Sequence, residues 1–253
     1  MKLSKFSLSG KNKLVPLVFH KIVSNEPRHW EDVKETTFKK IIEYVVFKSS
    51  VLDSNIFDKK SKCLITFDDG NISDYDIVFP ILMEKGVEAI FFVVVDQIGK
   101  PGYMNWNHIL EMKKNGMEIG SHSMSHPTMS SLSITKANTE LRKSKSILED
   151  FLGSSVRSFS YPYGDYNNKT NNLALSAGYS FLYTSKHGVL NSGKKIIPRN
   201  SINSSMSLKQ IINILEVSAG TVLRWWIEDN TKPIVKAFLG PSNYKKVRNF
   251  FLK

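Results

Sequence analysis

Two acidic residues and two histidines stand at spacings that suit metal-assisted hydrolysis. Asp68 and Asp69 are adjacent and precede Gly70, whereas His122 and His126 are four residues apart. Adjacent carboxylates repel each other, so a nearby cation or a raised pKa must relieve the cost. One carboxylate and two imidazoles suit zinc and neighbouring divalent metals and leave a position open for water. Taken singly, the acidic pair is also typical of a turn, and a histidine pair at this spacing also arises by chance.

The elements before these motifs are predicted to be parallel strands. Short apolar runs alternate along the chain with amphipathic, helical patterns, which is typical of βα units. The predicted strands are Leu14–His20, Lys62–Phe67, Ala89–Val95, Met117–Ser121, Arg157–Tyr161, Tyr179–Thr184 and Lys195–Arg199. Seven such units predict a single α/β domain, a distorted (β/α)7-type barrel, with a doubly wound sheet as the alternative. In either fold the active site lies at the carboxyl ends of the strands.

A third motif follows the predicted strand Arg157–Tyr161, where Pro162 and Gly164 fix a turn that carries Tyr163. Aromatic side chains at such a turn suit the wall of a sugar-binding groove, although an ordinary aromatic turn has the same pattern. Trp106 offers the same two interpretations, and packing in the core is the favoured one.

Together the three motifs resemble the polysaccharide deacetylase family, the carbohydrate esterases with NodB homology. The resemblance rests on Thr66-Phe67-Asp68-Asp69-Gly70, His122-Ser123-Met124-Ser125-His126-Pro127 and Tyr161-Pro162-Tyr163-Gly164. It implies a metal-dependent hydrolase that removes N-acetyl groups from an amino sugar in a bacterial surface glycan or its precursor. The expected partner is therefore an acetylated amino-sugar substrate.

The resemblance also implies a role for each motif residue. Asp69, His122 and His126 would hold one divalent metal ion, with Zn²⁺ as the first choice and Ni²⁺, Co²⁺ or Fe²⁺ as alternatives. Asp68 would be the general base for attack of a metal-bound water on the amide carbonyl. The backbone N–H of Tyr163 would stabilise the resulting oxyanion together with the metal.

Two positions depart from the common pattern of this family. Most members carry a Leu-x-His motif near the C-terminus, which is missing here, so another histidine must be the general acid. His20 resembles the aromatic-His motif of the permuted branch, the poly-N-acetylglucosamine deacetylases, and His187 is the weaker candidate. Ser160 occupies the place of an arginine that pairs with the base, and Arg199 is expected to supply that charge. The alternative interpretations are that His20 is an ordinary strand-end histidine and that Arg199 is a surface arginine.

The composition bounds the partners of the chain. The net charge of +12 attracts polyanions, but no nucleic-acid-binding motif is present, so no nucleic-acid partner is expected. Residues 1–220 are predicted to form the barrel, and residues 221–253 a basic, aromatic, helical C-terminal extension of the same domain. This extension suits either packing on the barrel or peripheral association with an anionic membrane. Because no leader or membrane-spanning stretch is found, the expected location is the cytoplasm, including the inner face of the membrane.

Other functions are compatible with the same residues. An O-acetyl esterase or a hydrolase of a small cyclic amide would use the same fold and metal. A non-catalytic glycan- or lipid-binding module is favoured by the missing Leu-x-His motif and by Ser160. The intact acidic and histidine pairs argue against such a module.

Overall fold

The computed structural model of the chain describes residues 14–54, 62–191 and 193–231. Eight strands form one parallel sheet, and two further strands, β2 and β3, form a separate parallel pair. The strands are β1 (Leu14–Phe19), β2 (Lys21–Val23), β3 (Asp32–Lys34), β4 (Lys62–Phe67), β5 (Ile90–Val93), β6 (Glu118–Ser121), β7 (Ser158–Ser160), β8 (Phe181–Tyr183), β9 (Ile196–Ile197) and β10 (Asn200–Ser201). All seven predicted strands are therefore present.

The sheet curls until its two ends meet. Its strand order is β10-β1-β4-β5-β6-β7-β8-β9, so β9 and β10 lie at opposite ends of the sheet. Only Pro198 and Arg199 separate these two strands along the chain, and such a connection spans at most about 11 Å. The prediction of a distorted parallel barrel is thus confirmed. The predicted strand Lys195–Arg199 is divided at Pro198, which has no N–H to donate to a ladder.

Alternate side chains on the strands fill two apolar layers. Ile90 and Phe92 on β5 join a small cluster inside the barrel, whereas Phe91 and Val93 join the large core beneath the helices. All four are buried, as expected for a strand covered on both faces. Burial on both faces explains why the apolar run at β5 does not alternate with polar residues.

The helices cover the outer face of the sheet. They are α1 (Glu35–Ser54), α2 (Phe79–Lys85), α3 (Trp106–Lys114), α4 (Ile134–Leu152), α5 (Asn168–Ser176) and α6 (Leu208–Leu215), and residues 219–231 are also helical. The ends of α4 are set by its sequence, since Ser133 caps the first turn and Gly153 adopts the left-handed conformation after the last.

The predicted C-terminal extension is helical as far as residue 231, and residues 232–253 lie outside the described residues. The boundary between residues 220 and 221 stays a prediction. Among the described residues, no helix is long and apolar enough to cross a membrane.

We expect Gly120→Ala to destabilise the barrel by about 1–3 kcal/mol, because overpacking displaces buried neighbours. An added Cβ would lie 2.5 Å from the ring of Phe92 and 3.1 Å from the carbonyl oxygen of Ser158. Urea denaturation measures the change in unfolding free energy. Gly220→Ala is the matched control, since it meets nothing within 4 Å in a helix and should be neutral or stabilising by up to about 1 kcal/mol. Equal effects of the two substitutions would contradict the packing argument.

Candidate active site

The motif residues meet at the carboxyl edge of the sheet. Asp69 follows β4 and its Oδ1 lies 3.5 Å from Nε2 of His122, which follows β6. The same oxygen lies 3.3 Å from Nε2 of His126. Ligand atoms from all three residues lie within 4.8 Å of one another. The structure therefore gathers the three predicted metal ligands at one point.

Unusual backbone conformations direct these side chains inward. Asp69, Ser123, His126 and Tyr163 have φ values of 75°, 71°, 62° and 59°, in the left-handed region that residues other than glycine rarely adopt. Of the non-glycine residues described, only Val217 shares this conformation elsewhere. Each such residue costs about 1–3 kcal/mol and persists where the surroundings hold it, typically at functional sites.

Hydrogen bonds fix the histidine loop. Nδ1 of His122 lies 2.8 Å from the carbonyl oxygen of Ser160, so Nδ1–H donates there and the lone pair of Nε2 faces Asp69. The amide of His126 donates to the hydroxyl of Ser123 at 3.0 Å. The carboxylate of Glu140, on α4, accepts the amides of residues 124 and 125 at 2.9 Å each. Sequence analysis missed Glu140, whose connection to the loop is not encoded by local spacing.

The donor cluster fits a divalent metal ion. Tetrahedral zinc with ligands at about 2.0–2.1 Å separates its ligand atoms by about 3.3 Å. The two separations measured from Asp69, 3.5 and 3.3 Å, are close to that value. His122 is buried, whereas Asp69 and His126 are partly exposed, so the cluster opens to solvent on one side. Three donors and an open side suit a catalytic ion better than a structural one.

Asp68 does not join this cluster but forms a buried ion pair. Two guanidinium nitrogens of Arg199 donate to its two carboxylate oxygens at 2.7 and 2.6 Å. Burial alone would raise the pKa of Asp68, but the positive charge of Arg199, together with the neighbouring His122 imidazole and the Arg199 hydrogen bonds, outweighs it and lowers the pKa. Asp68 is therefore ionised at neutral pH.

Ser160 completes the ion pair. Its hydroxyl accepts from Arg199 at 2.7 Å and donates to Asp68 at 3.1 Å, while its carbonyl orients His122. Ser160 stands where the family resemblance predicts an arginine. In the structure the small side chain of Ser160 lies beside the guanidinium of Arg199. Arg199 lies between β9 and β10, at the seam where the two ends of the sheet approach each other.

The two candidate general acids lie in different surroundings. The β1–β4 register pairs Phe19 with Phe67, so His20 and Asp68 follow side by side. Nδ1 of His20 is buried and has no hydrogen-bond partner in the described part of the chain. His187 is instead held by the C-terminal helix, because its Nδ1 lies 2.8 Å from Asp229.

The aromatic candidates also separate. Tyr163 is 59% exposed, and its ring stands edge-on to His126 at a centroid distance of 4.6 Å, at the mouth of the donor cluster. Trp106 packs against Phe151 of α4 with centroids 4.4 Å apart. Trp106 therefore packs against a helix, whereas Tyr163 lies beside the donor cluster.

Asp74 is a buried acid that sequence analysis did not single out. Neither of its carboxylate oxygens has a hydrogen-bond partner among the described residues. Burial first, and then the charges of Asp69 and Asp68, raise the pKa of Asp74 well above its usual value. Asp74 therefore keeps its proton while Asp68 and Asp69 are ionised. The sequence did not indicate that Asp74 is buried, because acids near the start of a helix are ordinarily solvent-exposed.

Comparison with known proteins agrees with this geometry. The family model for polysaccharide deacetylase matches residues 57–182. The putative polysaccharide deacetylase YxkH of Bacillus subtilis is 32% identical over 134 residues, which cover 52% of this chain and 48% of that protein. The chain belongs to the polysaccharide deacetylase family.

Within this family, the predicted likeness to poly-N-acetylglucosamine deacetylases is also found. The poly-beta-1,6-N-acetyl-D-glucosamine N-deacetylase of Staphylococcus aureus strain MRSA252 is 27% identical over 186 residues, covering 67% of this chain and 62% of that protein. The structure of IcaB from Ammonifex degensii superposes with a TM-score of 0.70 at 20% identity, covering 81% of this chain and 98% of that one. At this identity the superposition shows a shared fold.

We expect Arg199→Met to lower the unfolding free energy by about 3–5 kcal/mol at neutral pH, because it leaves the charge of Asp68 buried and unpaired. Asp68→Asn/Arg199→Met should recover much of that loss, since neither charge remains. Urea denaturation of the single and double variants measures the coupling. Lys39→Met is the control, because it breaks the exposed Lys39–Glu35 pair and should change the unfolding free energy far less.

The loss in Arg199→Met should also depend on pH. In the wild type the lowered pKa of Asp68 contributes stability above its unfolded-state pKa, and this contribution disappears as the pH falls. In the variant the pKa of the buried acid rises, so destabilisation is largest at neutral pH and shrinks in acid. A pH-independent difference between the two proteins would show that Arg199 does not control the ionisation of Asp68.

Proposed function

We propose that this protein is a metal-dependent N-deacetylase that removes acetyl groups from an amino sugar of a bacterial surface glycan or its precursor. The observation that carries the proposal is the juxtaposition of the Asp69–His122–His126 donor cluster with the ionised, buried carboxylate of Asp68. Such a pairing of a metal site and a base suits hydrolysis of an amide.

Asp69, His122 and His126 would hold the ion. When bound, a divalent ion polarises the acyl carbonyl and lowers the pKa of water. Zn²⁺ suits this donor set best, and Ni²⁺, Co²⁺ and Fe²⁺ suit it too.

Asp68 is assigned the role of general base. Its lowered pKa keeps it ionised, so one oxygen is ready to accept a proton from the attacking water. The contacts to Arg199 and Ser160 hold the carboxylate in place, so that it does not turn toward the metal ligands. The charge of Arg199 thus acts on the base, and Ser160 positions it.

The remaining steps need an oxyanion donor and an acid. We assign the first to the backbone N–H of Tyr163, whose left-handed turn stands beside His126. We assign the second to His20, which follows β1 beside Asp68 and has a buried, unpartnered Nδ1. In this scheme His20 protonates the leaving amine of the sugar.

The substrate assignment rests on relatives and on the mouth of the site. The Staphylococcus aureus relative is, by its name, a deacetylase of poly-beta-1,6-N-acetyl-D-glucosamine. The exposed ring of Tyr163 offers a face on which a sugar ring can stack. An acetylated glucosamine oligomer is therefore the substrate to try first. The serine at position 160 no longer favours a non-catalytic module, since Arg199 supplies the charge that it lacks.

The deciding experiment is acetate release from β-1,6- and β-1,4-linked N-acetylglucosamine oligomers by the zinc-loaded protein. We expect release that is abolished by a chelator, restored by Zn²⁺ and reduced at least about 100-fold by Asp68→Asn, a typical loss for a general base. Asp96→Asn is the matched control, because Asp96 is an exposed acid outside the cluster.

Each other outcome has a definite meaning. Stoichiometric zinc binding without acetate release from either oligomer would indicate that the substrate is one of the alternatives, an O-acetyl sugar or a small cyclic amide. Zinc binding that survives replacement of both His122 and His126 by alanine would overturn the site. Full activity of Asp68→Asn would remove Asp68 from the role of base.

A second experiment separates the two histidines. We expect His20→Gln to lower kcat by about 100-fold or more while zinc still binds, because the leaving amine loses its proton donor. His187→Gln should keep activity within about threefold, since both ring nitrogens of His187 face acids of the C-terminal helix. The reverse pattern would make His187 the general acid.

A further inference from the structure

The helix over residues 219–231 presents an apolar face to solvent. Its inward side carries Thr221 and Trp225, which are buried. The exposed apolar side chains are Val222, Leu223, Trp226 and Ile227, with 47%, 59%, 65% and 45% of their surface accessible. Surface helices of globular proteins ordinarily turn polar residues outward, so four exposed apolar side chains on one helix are unusual. Contiguous exposed apolar side chains mark an interaction surface.

The charges of the same helix are turned away from this face. Asp229 accepts the amide and Nδ1–H of His187 at 3.2 and 2.8 Å. Glu228 lies 3.4 Å from Nε2 of His187 and 3.0 Å from Nε of Arg224. The exposed residues of the helix are consequently all uncharged. An uncharged, apolar outward face enters a lipid interface without burying a charge.

The sequence after this helix supplies a complementary charge. Residues 232–253 contain six basic residues and no Asp or Glu. The basic residues are Lys232, Lys236, Lys245, Lys246, Arg248 and Lys253. Such a cluster next to an apolar helix is attracted to anionic lipid headgroups. A second copy of this chain is a poorer occupant of the face, because pairing would bring two basic segments together.

We propose that the outward face of this helix, defined by Val222, Leu223, Trp226 and Ile227, docks on an anionic lipid surface. The four side chains enter the region below the headgroups, and the basic residues after the helix contact the headgroups. Trp226 is the principal anchor, since tryptophan is favoured at this depth.

The docking face is held firmly to the barrel. His187, which binds Asp229, lies next to Lys186, whose carbonyl oxygen accepts the N–H of Arg199 at 2.8 Å. One loop therefore contacts both the helix and the arginine of the candidate site. Docking on lipid would fix the orientation of the barrel at the surface.

The test is sedimentation of the full chain with vesicles of phosphatidylcholine, with and without phosphatidylglycerol. We expect binding to the anionic vesicles, a blue shift of tryptophan fluorescence, and at least about a tenfold loss of partitioning in Leu223→Ser/Trp226→Ser. Met83→Ser/Ile134→Ser is the matched control, because it removes exposed apolar side chains, 44% and 53% accessible, from other helices. The control should sediment like the wild type.

Three outcomes would overturn the proposal. The first is a wild-type protein that stays in the supernatant with anionic vesicles. The second is a helix variant that sediments as well as the wild type while its thermal melt is unchanged. The third is a dimer, measured by light scattering, that Leu223→Ser/Trp226→Ser converts to a monomer, since the face would then bind a second copy. None of these measurements depends on enzymatic activity.

Discussion

The buried ion pair between Arg199 and Asp68 is the interaction on which both the barrel and the candidate site depend. The guanidinium is fully buried and uses all three of its nitrogens, two on Asp68 and the third on the carbonyl oxygen of Thr184. It also donates to the hydroxyls of Thr66 and Ser160. These acceptors come from or directly follow β4, β7 and β8, so one side chain ties strands on both sides of the seam. The side chain that links these strands is also the one that keeps Asp68 ionised.

This arrangement keeps the two adjacent acids in separate roles. Asp68 is satisfied by a permanent cation within the protein, whereas Asp69 turns through its left-handed backbone toward the two histidines. The hydrogen bond from His126, together with the nearby imidazoles of His122 and His20, lowers the pKa of Asp69 against the effect of its burial. Asp74 stays protonated chiefly because it is buried, and also because Asp69 and Asp68 are ionised. The unequal surroundings of the three carboxylates thus pair one with an arginine, place one beside the two histidines and keep the third neutral.

Sequence analysis could predict the parts of this molecule that local patterns encode. Strand β4 and helix α4 follow from apolar runs and capping residues, and the order of motifs places the acids and histidines at strand ends. Local patterns could not predict the contacts of Ser160 and His187. Ser160 contacts Arg199, 39 residues away, and His187 contacts Asp229, 42 residues away. Such contacts form only when the barrel closes, for Ser160, and when the C-terminal helix packs on the barrel, for His187.

Ser160 also shows why a missing motif residue is weak grounds for loss of function. The physical requirement at this site is a cation that reaches both oxygens of Asp68 in a buried place. The serine side chain and an arginine from the seam between β9 and β10 meet that requirement together, and the hydroxyl contributes a hydrogen bond to each partner. An arginine at position 160 would compete with Arg199 for the same oxygens. A departure from the family pattern at position 160 therefore has to be interpreted together with the residue at position 199.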